Sequence, residues 1–136
     1  MMKRLCAVLV CAAWVSGCVA FSPDRAVKDF MLLEPTRKYS TIRYDLDADG
    51  KNEYLLMFST GKHSSRVKVI KFFGKTGTVI FEHVASTPNT QFRLFEGVPT
   101  LIFEESTYEP DYAAGARYKD YYAWDGSTFS FKERTE

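Results

Sequence analysis

From Lys38 to the carboxyl end the chain is a succession of short apolar and aromatic runs, each closed by a turn signal, and none carries a helical repeat. Runs of this length, rich in Tyr, Phe, Val and Ile, form strands. They place strands near 39–44, 53–59, 66–73, 78–84, 91–95, 99–106, 117–124 and 128–133. Lys75-Thr76-Gly77 and Asp125-Gly126-Ser127 read as hairpin turns, with Gly supplying the positive φ that tight connections need.

The runs also repeat. Tyr54-Leu55-Leu56-Met57-Phe58, Val67 to Phe73 and Gly77 to Glu82 align with Pro99-Thr100-Leu101-Ile102-Phe103, Tyr118 to Trp124 and Gly126 to Phe131. Two copies are too few for an open array, so they must close on each other or on a helix. The expected fold is all-β, with antiparallel strands in two blade-like or sandwich-packed sheets preceded by a short N-terminal helix. That helix starts at Ser22-Pro23-Asp24, a cap followed by proline at the first helical position. Val27, Phe30, Met31 and Glu34 follow at helical spacing until Pro35, which suggests a helix that packs on the β domain.

The first residues are of another kind. Met1-Met2-Lys3-Arg4 is a short positive segment, and Leu5 to Trp14 are apolar or small. A run about half the twenty residues that cross a bilayer reads as a removable signal segment. Val15-Ser16-Gly17-Cys18 then resembles the bacterial lipobox: an aliphatic residue, two small residues and a cysteine. The resemblance implies cleavage before Cys18 and lipid attachment to its thiol. All three cysteines, Cys6, Cys11 and Cys18, lie in this region, so residues 19–136 hold none for a disulfide. Several acyl chains would give a stable membrane anchor where one would be marginal. Val19 stands where an Asp would resemble an inner-membrane retention signal, so the expected location is the outer membrane, lipid-anchored and facing the periplasm. The chain divides into a signal peptide (1–17), a lipidated tether with a short helix (18–37) and a β domain (38–136).

Removing Lys3 and Arg4 from the 18 basic residues leaves 16 against 17 acidic ones, a mature net charge of about −1. No basic field is available to hold nucleic acid.

One motif carries chemistry. Asp45-Leu46-Asp47-Ala48-Asp49-Gly50-Lys51-Asn52-Glu53 sets carboxylates at loop positions 1, 3, 5 and 9, with Gly at position 6. Calcium takes six to eight hard oxygens, and the Lys51 carbonyl at position 7 would add one to Asp45, Asp47, Asp49 and Glu53. Clustered carboxylates repel one another unless a cation lies among them. Position 12 is Leu56 rather than a bidentate Glu, and the flanks are strand-like, so this is not a helix-loop-helix EF-hand. Tyr44 to Phe58 instead resembles the calcium loops of FG-GAP and VCBS-type β repeats, which implies one bound calcium. The matching segment of the second copy, Leu94-Phe95-Glu96-Gly97-Val98-Pro99, lacks the aspartates.

Nothing in the sequence marks a catalytic centre. His63 and His83 have no zinc-site spacing, and His63-Ser64-Ser65 reads as a solvated loop. Glu104 and Glu105 are neighbours on one strand and must point to opposite faces, so they cannot flank one bond. The stretch Ser106 to Tyr122 is richer: Tyr108, Tyr112, Arg117 and Tyr118 are residue types that anchor protein interfaces, on a long connection. The alternative is a loop whose tyrosines cover a sheet edge. The expectation is a non-enzymatic calcium-binding module tethered to the membrane and facing a periplasmic protein partner. Lipoproteins resembling this arrangement include inhibitors and immunity proteins that act on peptidoglycan hydrolases. A structural or envelope-assembly lipoprotein is the other reading.

Overall fold

The computed structural model describes residues 20–32, 38–59, 64–87, 89–106 and 117–136. The signal segment, Cys18, Glu34, His63, Tyr108 and Tyr112 lie outside the described residues. Helix α1 (Pro23–Leu32) precedes β1 (Lys38–Tyr44), β2 (Glu53–Ser59), β3 (Ser65–Phe73) and β4 (Thr76–Ala85), then β5 (Thr90–Phe95), β6 (Val98–Ser106), β7 (Arg117–Trp124) and β8 (Phe129–Thr135). Each strand lies within two residues of its expected ends.

The strands form two antiparallel four-stranded sheets, ordered β1-β2-β3-β4 and β5-β6-β7-β8. Their shared order pairs β2 with β6, β3 with β7 and β4 with β8, as the repeat requires. Each sheet also carries a register slip in its last hairpin, between Val69 and Ile70 in one and between Tyr121 and Tyr122 in the other. Such bulges add local twist.

The sheets pack face to face. Alternation turns Leu55, Val67 and Val69 of the first sheet toward Leu101, Phe103 and Phe129 of the second, and all six are buried in one core. The outer face of the first sheet is covered as well. Val27 is buried there against Tyr54, Leu56, Phe58 and Ile70, with Phe30, Met31 and Phe72 packed around them. Burial on both faces explains why β2 is a continuous apolar run rather than an alternating one. The Ser22 carbonyl accepts the first helical bond, from Ala26 at 3.1 Å. Asp24, in the first turn, accepts a bond from the Tyr54 hydroxyl at 2.8 Å. Burial, reinforced by that carboxylate, pushes the Tyr54 phenol up to about 12.

One turn differs from the expectation. Phe73 pairs with Thr76, so the β3–β4 loop is Gly74-Lys75, and Gly77 lies inside β4 opposite Phe72. Gly74 takes the first loop position with φ +62°, the pattern of a two-residue hairpin with positive φ at its first residue. Gly77 has a packing role instead: a Cβ there would lie 2.8 Å from Cε2 of Phe30 and 3.0 Å from Cε1 of Phe72. Its bare backbone lets the helix close on the strand. No helix among the described residues is long and apolar enough to cross a membrane.

Candidate functional site

Tyr44 pairs with Glu53, so residues 45–52 form an eight-residue connection between β1 and β2. Its aspartates first fold the loop. Asp45 accepts from the amides of Asp49 at 3.1 Å and Gly50 at 2.9 Å, and Asp49 accepts from Lys51 at 2.8 Å. Side-chain oxygens thereby replace the ladder partners these amides lack. Gly50 takes φ +84°, as the tight turn requires. Leu46 drops into the intersheet core, and its amide donates to Oε2 of Glu53 at 2.8 Å.

This folding brings the three aspartates together. Asp45, Asp47 and Asp49 each offer a carboxylate oxygen, all within 4.8 Å of one another. Glu53, only 1 % exposed, turns inward beside them at the start of β2. Lys51 sits in the loop with its side chain exposed.

One participant was not foreseen. Lys71 of β3 places its ammonium against Oδ2 of Asp47, 3.6 Å from Oε1 of Glu53 and 3.8 Å from Oδ2 of Asp49. The signal was its strand parity: Lys71 continues the inward row of Val67 and Val69, where a charge needs a partner. The Lys71 hydrogen bond holds Asp47 below the usual carboxylate range, and the same bond holds Lys71 above the ordinary lysine value. Glu53 moves the other way. Its burial raises it, aided by the charges of Asp47 and Asp49 and opposed by the Leu46 amide and Lys71. Three carboxylates, those of Asp47, Asp49 and Glu53, share the Lys71 ammonium, so negative charge remains in excess.

The chain matches no family model, no curated protein and no solved structure. The loop is therefore read from its donor set. All of its side-chain donors are hard oxygens, the set that calcium prefers over sulfur or nitrogen. A cation among the clustered aspartates would meet Asp47 and Asp49, two of the carboxylates that now face Lys71. A metal ion fits by chemistry, but it must displace the lysine.

A second polar cluster joins the two sheets. His83 Nε2 lies 3.0 Å from Oε1 of Glu105, whose Oε2 accepts from the Ser86 amide at 2.7 Å and hydroxyl at 2.6 Å. The imidazole also packs on Phe103, with ring centroids 4.2 Å apart, and on Tyr122 at 5.1 Å. Burial alone would push Glu105 up, but the Ser86 bonds and His83 outweigh it and hold the carboxyl low. The sequence signal is again parity: His83 continues the Phe81 row and Glu105 the Leu101 and Phe103 row. Glu104 turns to the other face, toward Asn89 and Arg117.

Of the four interface residues expected on the long connection, two are described. Arg117 is exposed and pairs with Glu104 at 3.4 Å. Tyr118 is partly buried beneath the Arg134 guanidinium, 3.8 Å from its ring centroid. Arg134 in turn makes a two-pronged bond to Asp120, at 2.7 and 2.9 Å.

Proposed function

We propose that this protein is a non-enzymatic binding module, lipid-anchored through Cys18 to the periplasmic face of the outer membrane, whose β1–β2 loop takes up calcium as a structural staple. The observation that carries the calcium reading is the clustering of carboxylate oxygens from Asp45, Asp47 and Asp49 within 4.8 Å of one another, with Glu53 beside the Lys71 ammonium. Calcium bound there supplies charge and coordination and no turnover: it would fix the loop against the core through Leu46 and Glu53. Lys71 favours a second reading, in which the tethered ammonium is the permanent counter-ion and the loop needs no metal.

Calorimetric titration of the mature chain with calcium separates the two. Saturable binding that disappears in an Asp47→Ala, Asp49→Ala variant is expected. No heat and no thermal stabilisation in the wild type would leave the lysine as sole counter-ion.

The partner reading rests on Tyr108, Tyr112, Arg117 and Tyr118, with a peptidoglycan hydrolase as its most concrete target. Recovery of a hydrolase from a periplasmic extract should fall in a Tyr108→Ala, Tyr112→Ala variant. Equal recovery would remove the connection from the reading. The anchor is tested by fractionation: Cys18→Ser should move the protein from the membrane to the soluble fraction.

A further inference from the structure

The point at which the amino-terminal segment joins the fold is fixed. The Phe21 ring meets Phe72 edge to face, 5.7 Å between centroids, on the penultimate residue of β3. The chain thus arrives beside the Gly74-Lys75 turn. The 45–52 loop lies at the same end, because β1 and β3 run in one direction. The second sheet is oriented by two contacts. Glu105, near the end of β6, bonds Ser86 just past β4, and Thr128 bonds the Ile80 carbonyl nearer the start of β4. The turns at 96–97 and 125–128 therefore share this end.

Several apolar side chains are exposed at this end, although Leu32, Tyr39 and Val84 are exposed elsewhere. Phe73 is 58 % exposed and Phe21 38 %, with Leu94, Phe95 and Val98 exposed around the 96–97 turn. Lys75 projects at the tip of its hairpin. Ser106 and Arg117, the feet of the tyrosine-rich connection, lie at the opposite end.

We propose that the turn-bearing end of the sandwich rests on the phospholipid bilayer, with Phe73 and Phe21 in the interfacial layer and Lys75 at headgroup level. This inference rests on the lipid-anchor reading. Three peptide steps separate Cys18 from Phe21, at most about 11 Å of extended chain. Acyl chains on Cys18 would hold that residue at the headgroup boundary, and Phe21 docked on Phe72 would bring the β3–β4 tip to the same depth. Phenylalanine on an exposed hairpin gains by leaving water, while a lysine buries its stem and keeps its ammonium hydrated. Ser106 and Arg117, the described feet of the tyrosine-rich connection, then lie at the end away from the membrane.

The test uses the mature chain purified from membranes and reconstituted in vesicles of phosphatidylethanolamine and phosphatidylglycerol. With the Cys18 thiol acylated, residues 19–136 contain no other cysteine, so Phe73→Cys can carry a single environment-sensitive nitrobenzoxadiazole label. Lys75→Cys is a second reporter should the first misfold. Val84→Cys, an exposed site toward the other end of β4, is the control. Emission at residue 73 or 75 should rise at least twofold on vesicles, shift to the blue and be quenched by spin-labelled lipid, with residue 84 unchanged. Equal signals at both ends, with acylated Cys18 shown by mass spectrometry, would overturn the docking and leave the anchor intact. A free thiol at Cys18 would overturn the anchor and the docking together.

Discussion

Replacing Lys71 by methionine keeps most of the side-chain volume and removes the ammonium that, among the described residues, faces the loop carboxylates. Two like charges at the separations of this cluster interact by about 4 kcal/mol at an effective dielectric of 20, before solvent and relaxation reduce it. Glu53 is nearly inaccessible and cannot recover hydration, whereas Asp49 is 40 % exposed and can. Breaking a fully buried pair costs about 3–5 kcal/mol and an exposed one under about 1. This cluster lies between, so about 2 kcal/mol should be lost in the presence of a chelator. For a domain of this size that lowers the midpoint by roughly 6–10 °C. Calcium should reverse the order. With the competing ammonium gone, an ion in the proposed site would meet Asp47 and Asp49 directly, and saturation a hundredfold above Kd would return about 2.7 kcal/mol. The assay is a thermal melt of the Cys18→Ser chain, with and without Lys71→Met, in chelator and in millimolar calcium. A variant that melts like the wild type in chelator and ignores calcium would refute both the counter-ion argument and the cation site.

Further outcomes follow from other contacts. Gly77→Ala should cost about 1–3 kcal/mol, the usual range for overpacking, because the new methyl meets Phe30 on one side and Phe72 on the other. A Phe30→Leu, Gly77→Ala double variant should recover part of the midpoint, and strict additivity would argue against the clash. Glu105 has its carboxyl lowered in the fold, so its stabilisation is present above its ordinary value of 4.5 and lost as pH falls through the lowered one. Asp47 adds a loss of the same sign and Glu53 one of opposite sign. Chemical denaturation between pH 3 and 6 should show a shallower acid loss for Glu105→Gln than for the wild type, and parallel curves would contradict the assignment. Asp120→Asn leaves the Arg134 fork half-paired and should cost about 1–2 kcal/mol in the same assay.

What the sequence made legible was local. Strand positions follow from periodicity and turns, and the aspartate spacing of the β1–β2 loop is contiguous. The Gly77 turn was misread because two glycines lie within four residues, and only the register shows that Gly74 makes the turn while Gly77 accommodates Phe30. Lys71 and the His83–Glu105–Ser86 cluster were hidden for another reason. Their partners lie 24, 22 and 19 residues apart, brought together by strand pairing in one case and by sheet stacking in the other. Each nevertheless left a trace, a polar residue at an inward position of an otherwise apolar row. Such a residue in a strand marks a partner not yet placed.

The duplication turns this into an argument about the loop. At the corresponding point of the second sheet, Phe95 pairs with Val98 and the chain reverses in two residues, Glu96 and Gly97, both at positive φ. The same topology therefore needs no more than two residues there. Between β1 and β2 it has eight, three of them aspartates that spend oxygens on holding their own amides. A longer loop costs closure entropy, and an acidic one adds repulsion. Neither cost is required by the fold, and Leu46 and Glu53 alone could tie the loop to the core. The surplus carboxylates are what a cation site needs and what a chain reversal does not. Shortening 45–52 to an Asn-Gly turn should thus leave the sandwich folded, at a cost of about 2–5 kcal/mol for the lost Leu46 burial, and abolish the calcium binding proposed for the loop. Collapse of the fold on shortening would show instead that the sandwich depends on the loop beyond the Leu46 contact.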